Sequence, residues 1–301
     1  MVADGLEAPE GPIAFDDGSV LVCEILGGRL TKILPDGSRR VVAQTGGGPN
    51  GAAIGPGGAC FVANNGGYLS KMVNGKRVMQ FGEGGAPPPP NGSIQRVDLA
   101  SGAVTTLYDR VGEQQLRAPN DLVFDADGGF WFTDMGKIGQ RSMDLGSLCW
   151  ARADGSECRE IDRGLITPNG VALSPDGRTL YVALTDTRQV LAYTITQPGT
   201  VTTLPNGRPA RRILASLGGD IEFDSMKVEA CGNIVVGTLQ QGALTVLSPD
   251  GDFVERVPFP GWVTNLAFAG PDRRTVYATM TPAGKLVRLR WPRPGLKLAW
   301  S

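Results

Sequence analysis

Short apolar runs of four to six residues recur along the chain, each closed by a turn rich in Asp, Pro, Asn or Gly, and long helical periods are hard to find. Such turns fall at Pro35-Asp36-Gly37, Asp127-Gly128-Gly129, Ser174-Pro175-Asp176-Gly177 and Ser248-Pro249-Asp250-Gly251. Aligned on them, the chain shows six copies of one pattern: Glu10–Gly18, Asn50–Gly58, Asn120–Gly128, Asn169–Gly177, Asp224–Gly232 and Asn265–Arg273. Each copy opens on Glu, Asn or Asp and continues as a mostly apolar strand. In five of the six a glycine falls eight residues after the opening residue; the sixth has Arg273 there, after Pro271-Asp272. A second apolar strand follows every turn, at Val20–Cys23, Cys60–Ala63, Phe130–Thr133, Leu180–Ala183, Ile234–Gly237 and Thr275–Ala278. Third strands are visible at Arg29–Leu34, Gln189–Ile195, Ala243–Leu247 and Lys285–Arg290, and weaker fourth strands at Arg40–Ala43 and Arg211–Ala215. Six units of about fifty residues, with four strands each, predict an all-β chain. The expected fold is a six-bladed β-propeller, with four-stranded antiparallel blades around a central channel and one domain over residues 1–301.

The second unit is overlong, with seventy residues from Asn50 to Asn120. An extra hairpin is expected around Val73-Asn74-Gly75-Lys76, and a Gly/Pro-rich loop or lid insertion around residues 82–95. The four prolines Pro87–Pro90 supply no ladder donors, so that run cannot be a central strand. The C-terminal Leu296–Trp300 is expected to be an outer strand near the ring closure.

Composition sharpens this picture. The 43 glycines and 22 prolines among 301 residues suit many short strands and tight turns. Formal net charge is −1 and the basic residues form no stripe, which argues against nucleic acid as a partner. No window approaches eighteen unbroken apolar residues, so no membrane partner is expected either. Met1–Phe15 has neither the basic nor the apolar region of a signal peptide. The five cysteines (Cys23, Cys60, Cys149, Cys158 and Cys231) are scattered without a C-x-x-C pair, as reduced core thiols of a cytoplasmic protein would be. Trp131 and Trp150 are read as blade packing; Trp262, just ahead of Asn265, reads either as packing or as a residue of the channel rim. Nothing in the pattern speaks to oligomeric state.

Histidine is absent. That removes Ser-His-Asp triads, Cys-His dyads, His-ligated zinc and imidazole proton transfer. The chemistry must come from elsewhere, and the six opening residues offer it. Residues that begin the innermost strands of a propeller stand at the mouth of the channel, so Glu10, Asn50, Asn120, Asn169, Asp224 and Asn265 converge on the axis as oxygen acceptors. Two carboxylates crowded in a pore repel, and a divalent cation removes the conflict. Calcium suits an all-oxygen set; magnesium demands stricter geometry and more water, and zinc without histidine would be unusual. Manganese is a further possibility. Fourteen residues on lies a second tier: Glu24, Asn64, Asp134, Ala183, Thr238 and Thr279. Here Glu24 and Asp134 read either as a second polar shell beside the channel or as solvated strand ends. Asp121 is a candidate to orient a ligand amide.

The set Glu10-Gly11-Pro12, Pro119-Asn120-Asp121-Leu122-Val123, Trp131-Phe132-Thr133-Asp134, Pro168-Asn169-Gly170 with Ser174-Pro175-Asp176-Gly177, and Asp224-Ser225-Met226 resembles the senescence-marker-protein/gluconolactonase family. Diisopropyl fluorophosphatase and a staphylococcal drug-responsive lactonase are relatives of that family. The resemblance spans Glu10 to about Asn265 and implies a six-bladed propeller with one divalent metal in the tunnel. It implies Glu10, Asn169 and Asp224 as metal ligands, Asn120 as a ligand to metal or substrate, and Asp224 as base or nucleophile. Sugar-lactonase members often have Arg two residues before the Asn of Asn-Asp. Here Ala118 stands there and Arg117 lies one step earlier, which weakens a sugar-lactone assignment. Asp224-Ser225 leans toward the drug-responsive lactonases.

The expected activity is metal-assisted opening of a small lactone or ester. Asp224 is the favoured base, with Glu24 or Asp134 as substitutes, and Asn120, Asn50, Asn265 and Arg117 position the substrate. Two rivals stay open: cleavage of a phosphotriester or fluorophosphate at the same metal, and a rigid propeller that binds a ligand without chemistry.

Overall fold

A computed structural model describes residues 1–80 and 91–300. Six antiparallel sheets stand around one axis. Their innermost strands are Pro9–Ala14, Pro49–Ile54, Pro119–Phe124, Pro168–Leu173, Phe223–Val228 and Asn265–Ala269, and each touches the next in a closed ring. Blades 1, 2, 3 and 5 add three further strands each, blade 4 adds four, counting the short Thr200–Val201, and blade 6 adds Thr275–Met280 and Lys285–Arg290. The six-bladed propeller of the sequence reading is therefore the fold, with second strands within a residue or two of their expected limits.

The turn chemistry explains the regularity. In Ser174-Pro175-Asp176-Gly177 the Asp176 carboxylate accepts from the Ser174 hydroxyl at 2.6 Å and from the Arg178 amide at 3.0 Å, while Gly177 takes φ +68°. Between blades, alternate side chains of facing sheets form the core. Phe61 and Phe124 meet edge-on with ring centroids 5.0 Å apart, and Trp131 and Trp150 are fully buried. Each fully buried aromatic or aliphatic side chain contributes on the order of 1.5–3 kcal/mol.

The second unit carries its hairpin as expected, Leu69–Val73 paired with Lys76–Gln80 across Asn74 and Gly75, both at positive φ. The Gly/Pro-rich insertion lies mostly outside the described residues. Its last expected residues, 93–95, belong instead to the strand Ser93–Val97, third in blade 2.

Ring closure differs from expectation. The outer edge of blade 6 is covered by the N-terminal end: Ala3 bridges Leu286, with Val2 and Ala3 amides donating to the Leu286 carbonyl at 2.8 and 3.1 Å. Leu296–Trp300 forms no outer strand. The preceding segment is anchored to blade 5, where the buried Glu229 carboxylate accepts from Trp291 Nε1 at 2.6 Å and Arg293 Nε at 2.5 Å. From there the chain crosses the far end of the channel. Leu296 N donates to Val228 O, and Trp300 Nε1 reaches Asp125 O in blade 3 at 2.9 Å. Leu296, Leu298 and Trp300 close over an apolar space of about 90 Å³ lined by all six inner strands. Periodicity could not assign this strap, because it pairs with no blade as a strand does.

Cys23, Cys60 and Cys149 are buried as read from the sequence, but Cys158 is partly exposed and Cys231 is on the surface. No helix among the described residues is long and apolar enough to cross a membrane.

Candidate functional site

At the other end of the channel lies a cavity of about 270 Å³. Its floor contains Glu10, Asn50, Asn120, Asn169 and Asp224, the opening residues of blades 1 to 5. They share a backbone device. In each of these blades the ladder between first and second strands shifts register beside the opening residue, as between Pro168 and Val171 or Phe223 and Met226. Such a bulge inserts one extra residue and turns the side chain onto the axis. The residue after the opener is small or compact: Gly11, Gly51, Asp121, Gly170 and Ser225. The inner strands approach so closely there that a Cβ on Gly51 would lie 2.5 Å from Asn120 O, and one on Gly170 would lie 2.7 Å from Asp224 O.

Blade 6 lacks the device. Asn265 pairs with Thr279 in unbroken register and is followed by Leu266, where the other blades have a small or compact residue. Its side chain is fully buried and does not line the cavity. Nδ2 donates to Glu10 Oε2 at 3.0 Å, and Oδ1 accepts from the Leu266 amide at 2.8 Å. Asn265 therefore holds Glu10 in place instead of meeting substrate. The Leu266 that follows it was the available signal.

Glu10 is held on all sides. Oε2 also accepts from the Gly11 amide at 3.0 Å, and Oε1 accepts from Thr281 Oγ1 at 3.2 Å. Two amides are aimed by their NH2 groups. Asn169 Nδ2 donates to Thr185 Oγ1 at 3.1 Å, and Asn120 Nδ2 reaches Met135 Sδ at 3.4 Å. The Oδ1 atoms of both asparagines are buried with no protein partner. Burial and the neighbouring Glu10 charge push the Asp224 carboxyl well above the usual carboxylate range. Burial also raises Glu10. Orphaned acceptor oxygens beside two carboxylates that resist ionisation form a donor set that lacks positive charge. No group of three or more acidic or cysteine side chains converges among the described residues, so any cation here would be held by two carboxylates and amide oxygens.

The second tier has a different role. The Glu24 carboxylate accepts from Arg29 Nε at 2.8 Å, Thr31 Oγ1 at 2.5 Å and the Glu7 amide at 2.7 Å. Burial opposes its ionisation, but these donors, Arg29 foremost, win and hold its carboxyl below the ordinary value. Asn64 Oδ1 accepts from the Gly48 amide at 2.9 Å. Asp134 accepts from the Arg117 and Ala118 amides at 2.8 and 2.6 Å, and burial raises its carboxyl. In three blades, then, the end of the second strand clamps the backbone that leads into the innermost strand. Neither Glu24 nor Asp134 lines the cavity, and both carboxylates are occupied by backbone or side-chain donors.

Arg117 is likewise absent from the cavity wall; its Nε is bound to Asp144 Oδ2 at 2.8 Å and its guanidinium also bonds Asn91. Asp121 orients no ligand amide. It is fully buried, accepts from the Leu122 amide at 2.9 Å, and faces Lys227 Nζ at 3.5 Å.

Above the floor the walls are largely apolar, and the sequence reading missed most of them. Ile25, Tyr68, Met79, Met135, Ile138, Leu239, Trp262 and Pro282 line the mouth. Trp262, for which the sequence left packing and the channel rim open, is 39% exposed and faces the cavity. Ile25, Met135 and Leu239 each directly follow a second-tier residue, a register the repeat contained. Burial, with the Asp224 and Glu10 charges, pushes the Tyr68 phenol up to about 12, so it keeps its proton at neutral pH. The loop that carries Tyr68 is held by Lys137, whose Nζ donates to the Asn65 and Gly67 carbonyls.

Fold and floor together define a class: a six-bladed propeller whose tunnel ends in a mixed carboxylate and amide cluster under an apolar mouth. The sequence profile described as the SMP-30/gluconolactonase/LRE-like region matches residues 8–281, and the chain belongs to that family. It is 23% identical over 275 residues to a gluconolactonase of Zymomonas mobilis, covering 84% of this chain and 70% of that protein. It is 25% identical over 252 residues to the lactonase drp35 of Staphylococcus saprophyticus, covering 83% and 69%. Among solved structures, a gluconolactonase from Xanthomonas campestris superposes with a TM-score of 0.73 at 24% identity, covering 97% of this chain and 88% of that one. The calcium-binding protein regucalcin from Agrobacterium tumefaciens superposes at 0.71 with 18% identity, covering 99% and 96%. Both share the fold.

Proposed function

We propose that this protein is a divalent-cation-dependent hydrolase that opens the ring of a small lactone. One observation carries the reading: the buried, unpartnered Oδ1 atoms of Asn120 and Asn169 stand in the same cavity floor as two carboxylates, Glu10 and Asp224, that burial has raised. The donor set fits a hard cation, held by Glu10, Asn120, Asn169 and Asp224, with Asn50 beside them. Calcium suits the all-oxygen ligands. The relatives named gluconolactonase and lactonase, and the calcium-binding neighbour, support the same reading. When bound, the cation would polarise the lactone carbonyl and offset the negative charge that develops on its oxygen.

The chain's own groups account for the remainder. Asp224 accepts a proton from the attacking water as the new C–O bond forms. The ring C–O bond then breaks, and the same proton passes to the departing alkoxide, which leaves a hydroxy acid. Glu10 is held in place by Thr281, Gly11 and Asn265. Asn120 and Asn169 are oriented by Met135 and Thr185. The apolar mouth limits bulk water around the reacting ester.

The test is calorimetry with calcium followed by a lactone panel, run beside a phosphotriester panel. Asp224→Asn and Glu10→Gln are expected to weaken cation binding at least a hundredfold and to abolish turnover. Full lactone turnover after exhaustive chelation would refute the proposal, and phosphotriester turnover without lactone turnover would replace it.

A further inference from the structure

We infer that the substrate of this site is an uncharged lactone bearing an aromatic or alkyl substituent, and that the side chains above the floor select against polyhydroxylated lactones; this rests on the lactone reading above. The wall decides it. Ile25, Met79, Met135, Ile138, Leu239 and Trp262 face the cavity around its mouth. A substituent that leaves water for this wall gains about 0.8 kcal/mol per CH2 group. Methionines adapt to differing shapes, and the Trp262 face offers a flat surface to an aromatic ring.

A polyhydroxylated substrate needs a polar partner for each hydroxyl; Glu10, Asn120, Asn169 and Asp224 are assigned to the cation, and the neighbouring threonines and Glu222 are already engaged. Thr281 Oγ1 donates to Pro9 O at 2.6 Å, and the Thr264 hydroxyl bonds that of Thr281 at 2.6 Å. Thr185 Oγ1 takes the Asn169 amide at 3.1 Å, and Glu222 Oε2 takes Gln240 Nε2 at 2.8 Å. Each hydroxyl stranded against Met or Leu would cost about 1–3 kcal/mol. Charge points the same way. Asp186 and Glu222 line the cavity, and no Lys or Arg does among the described residues. Away from the cation at the floor, an anionic substituent would meet only these carboxylates.

The experiment compares kcat/KM of the full-length calcium-loaded protein on three lactones with the same ring size: unsubstituted, phenyl- or alkyl-substituted, and polyhydroxylated glucono-δ-lactone. The substituted lactone is expected to exceed the unsubstituted one at least tenfold and the polyhydroxylated one at least a hundredfold. Leu239→Asn and Ile138→Asn are expected to lower the substituted-to-unsubstituted ratio about tenfold, with thermal melting run to show that both variants fold. Trp262 fluorescence provides a binding readout independent of turnover: the substituted lactone or its hydroxy-acid product shifts it at lower concentration than glucono-δ-lactone does. A polyhydroxylated lactone hydrolysed as well as or better than the substituted one overturns the substrate inference and leaves the lactonase reading standing. Failure to turn over any of the three overturns both.

Discussion

Gly170→Ala tests the claim that close approach of the inner strands builds the site. Gly170 lies outside the left-handed region, so alanine meets no backbone strain there, and the effect is one of space. The new Cβ would lie 2.7 Å from Asp224 O, 2.7 Å from Met226 N and 2.8 Å from Ser225 Cα. All three are backbone atoms of the neighbouring strand, which cannot swing aside as a side chain can. Reaching tolerable contact requires the strands of blades 4 and 5 to part by about half an ångström, a typical overpacking cost of about 1–3 kcal/mol. For a chain of 301 residues that corresponds to a melting temperature lower by about 2–5 °C. Because Asn169 and Asp224 ride on the strands that part, calcium affinity should also fall about tenfold or more. Gly218→Ala is the control, since nothing lies within 4 Å of its Cβ position and its φ is not positive. Differential scanning calorimetry and calcium titration of the two variants decide the matter. A Gly170→Ala protein with unaltered melting and unaltered affinity would refute the reasoning.

Three further outcomes are expected. Burial raises Glu10 and Asp224 in the cation-free protein, so the folded state binds their protons more tightly than the unfolded state, and stability falls as pH rises from the usual carboxylate range through the raised values. Calcium at a hundred times its dissociation constant at pH 8 should add about 2.7 kcal/mol there, about 4 °C in melting temperature, and the same concentration clearly less at pH 5; equal shifts at both pH values would contradict this. Glu24→Gln should lower stability by about 1–3 kcal/mol through its lost Arg29 pair, yet turn over lactone within a few-fold of the parent, whereas a catalytic Glu24 would lose turnover with little change in stability. Lys227→Met leaves Asp121 buried without its cation and should cost about 3–5 kcal/mol in urea unfolding, with Asp121→Asn in the same chain restoring part of the loss.

The ring of blades was legible because each strand pair ends in a turn that only a few residue types can make. The floor was legible for the same reason: five opening residues sit at a fixed distance from those turns. The sixth, Asn265, shares that spacing from its strand end but lacks the bulge, and a one-residue difference in backbone count rotates its amide away from the axis onto Glu10. Glu24 and Asp134 carried the right charge in the right register, yet backbone amides of the incoming loops claimed them, and a side chain's hydrogen-bond partners from a distant turn leave no periodic trace. Most wall residues come from the turns that join second and third strands within a blade, with Trp262 on a link between blades and Met79 on the extra hairpin. Apolar side chains such as Met79 and Trp262 look like ordinary packing until the fold shows that they face a cavity.

Ring closure also shapes how the molecule must fold. The contact of Ala3 with Leu286 joins residues almost the whole chain apart, so it can form only after the intervening blades have gathered. Non-local pairings of this kind slow folding. Until that moment Lys285–Arg290 is a bare edge strand with unpaired amides and carbonyls, open to capture by another unfinished copy. Lys285, Arg288 and Arg290 give this edge a like charge of the kind that disfavours edge-to-edge pairing.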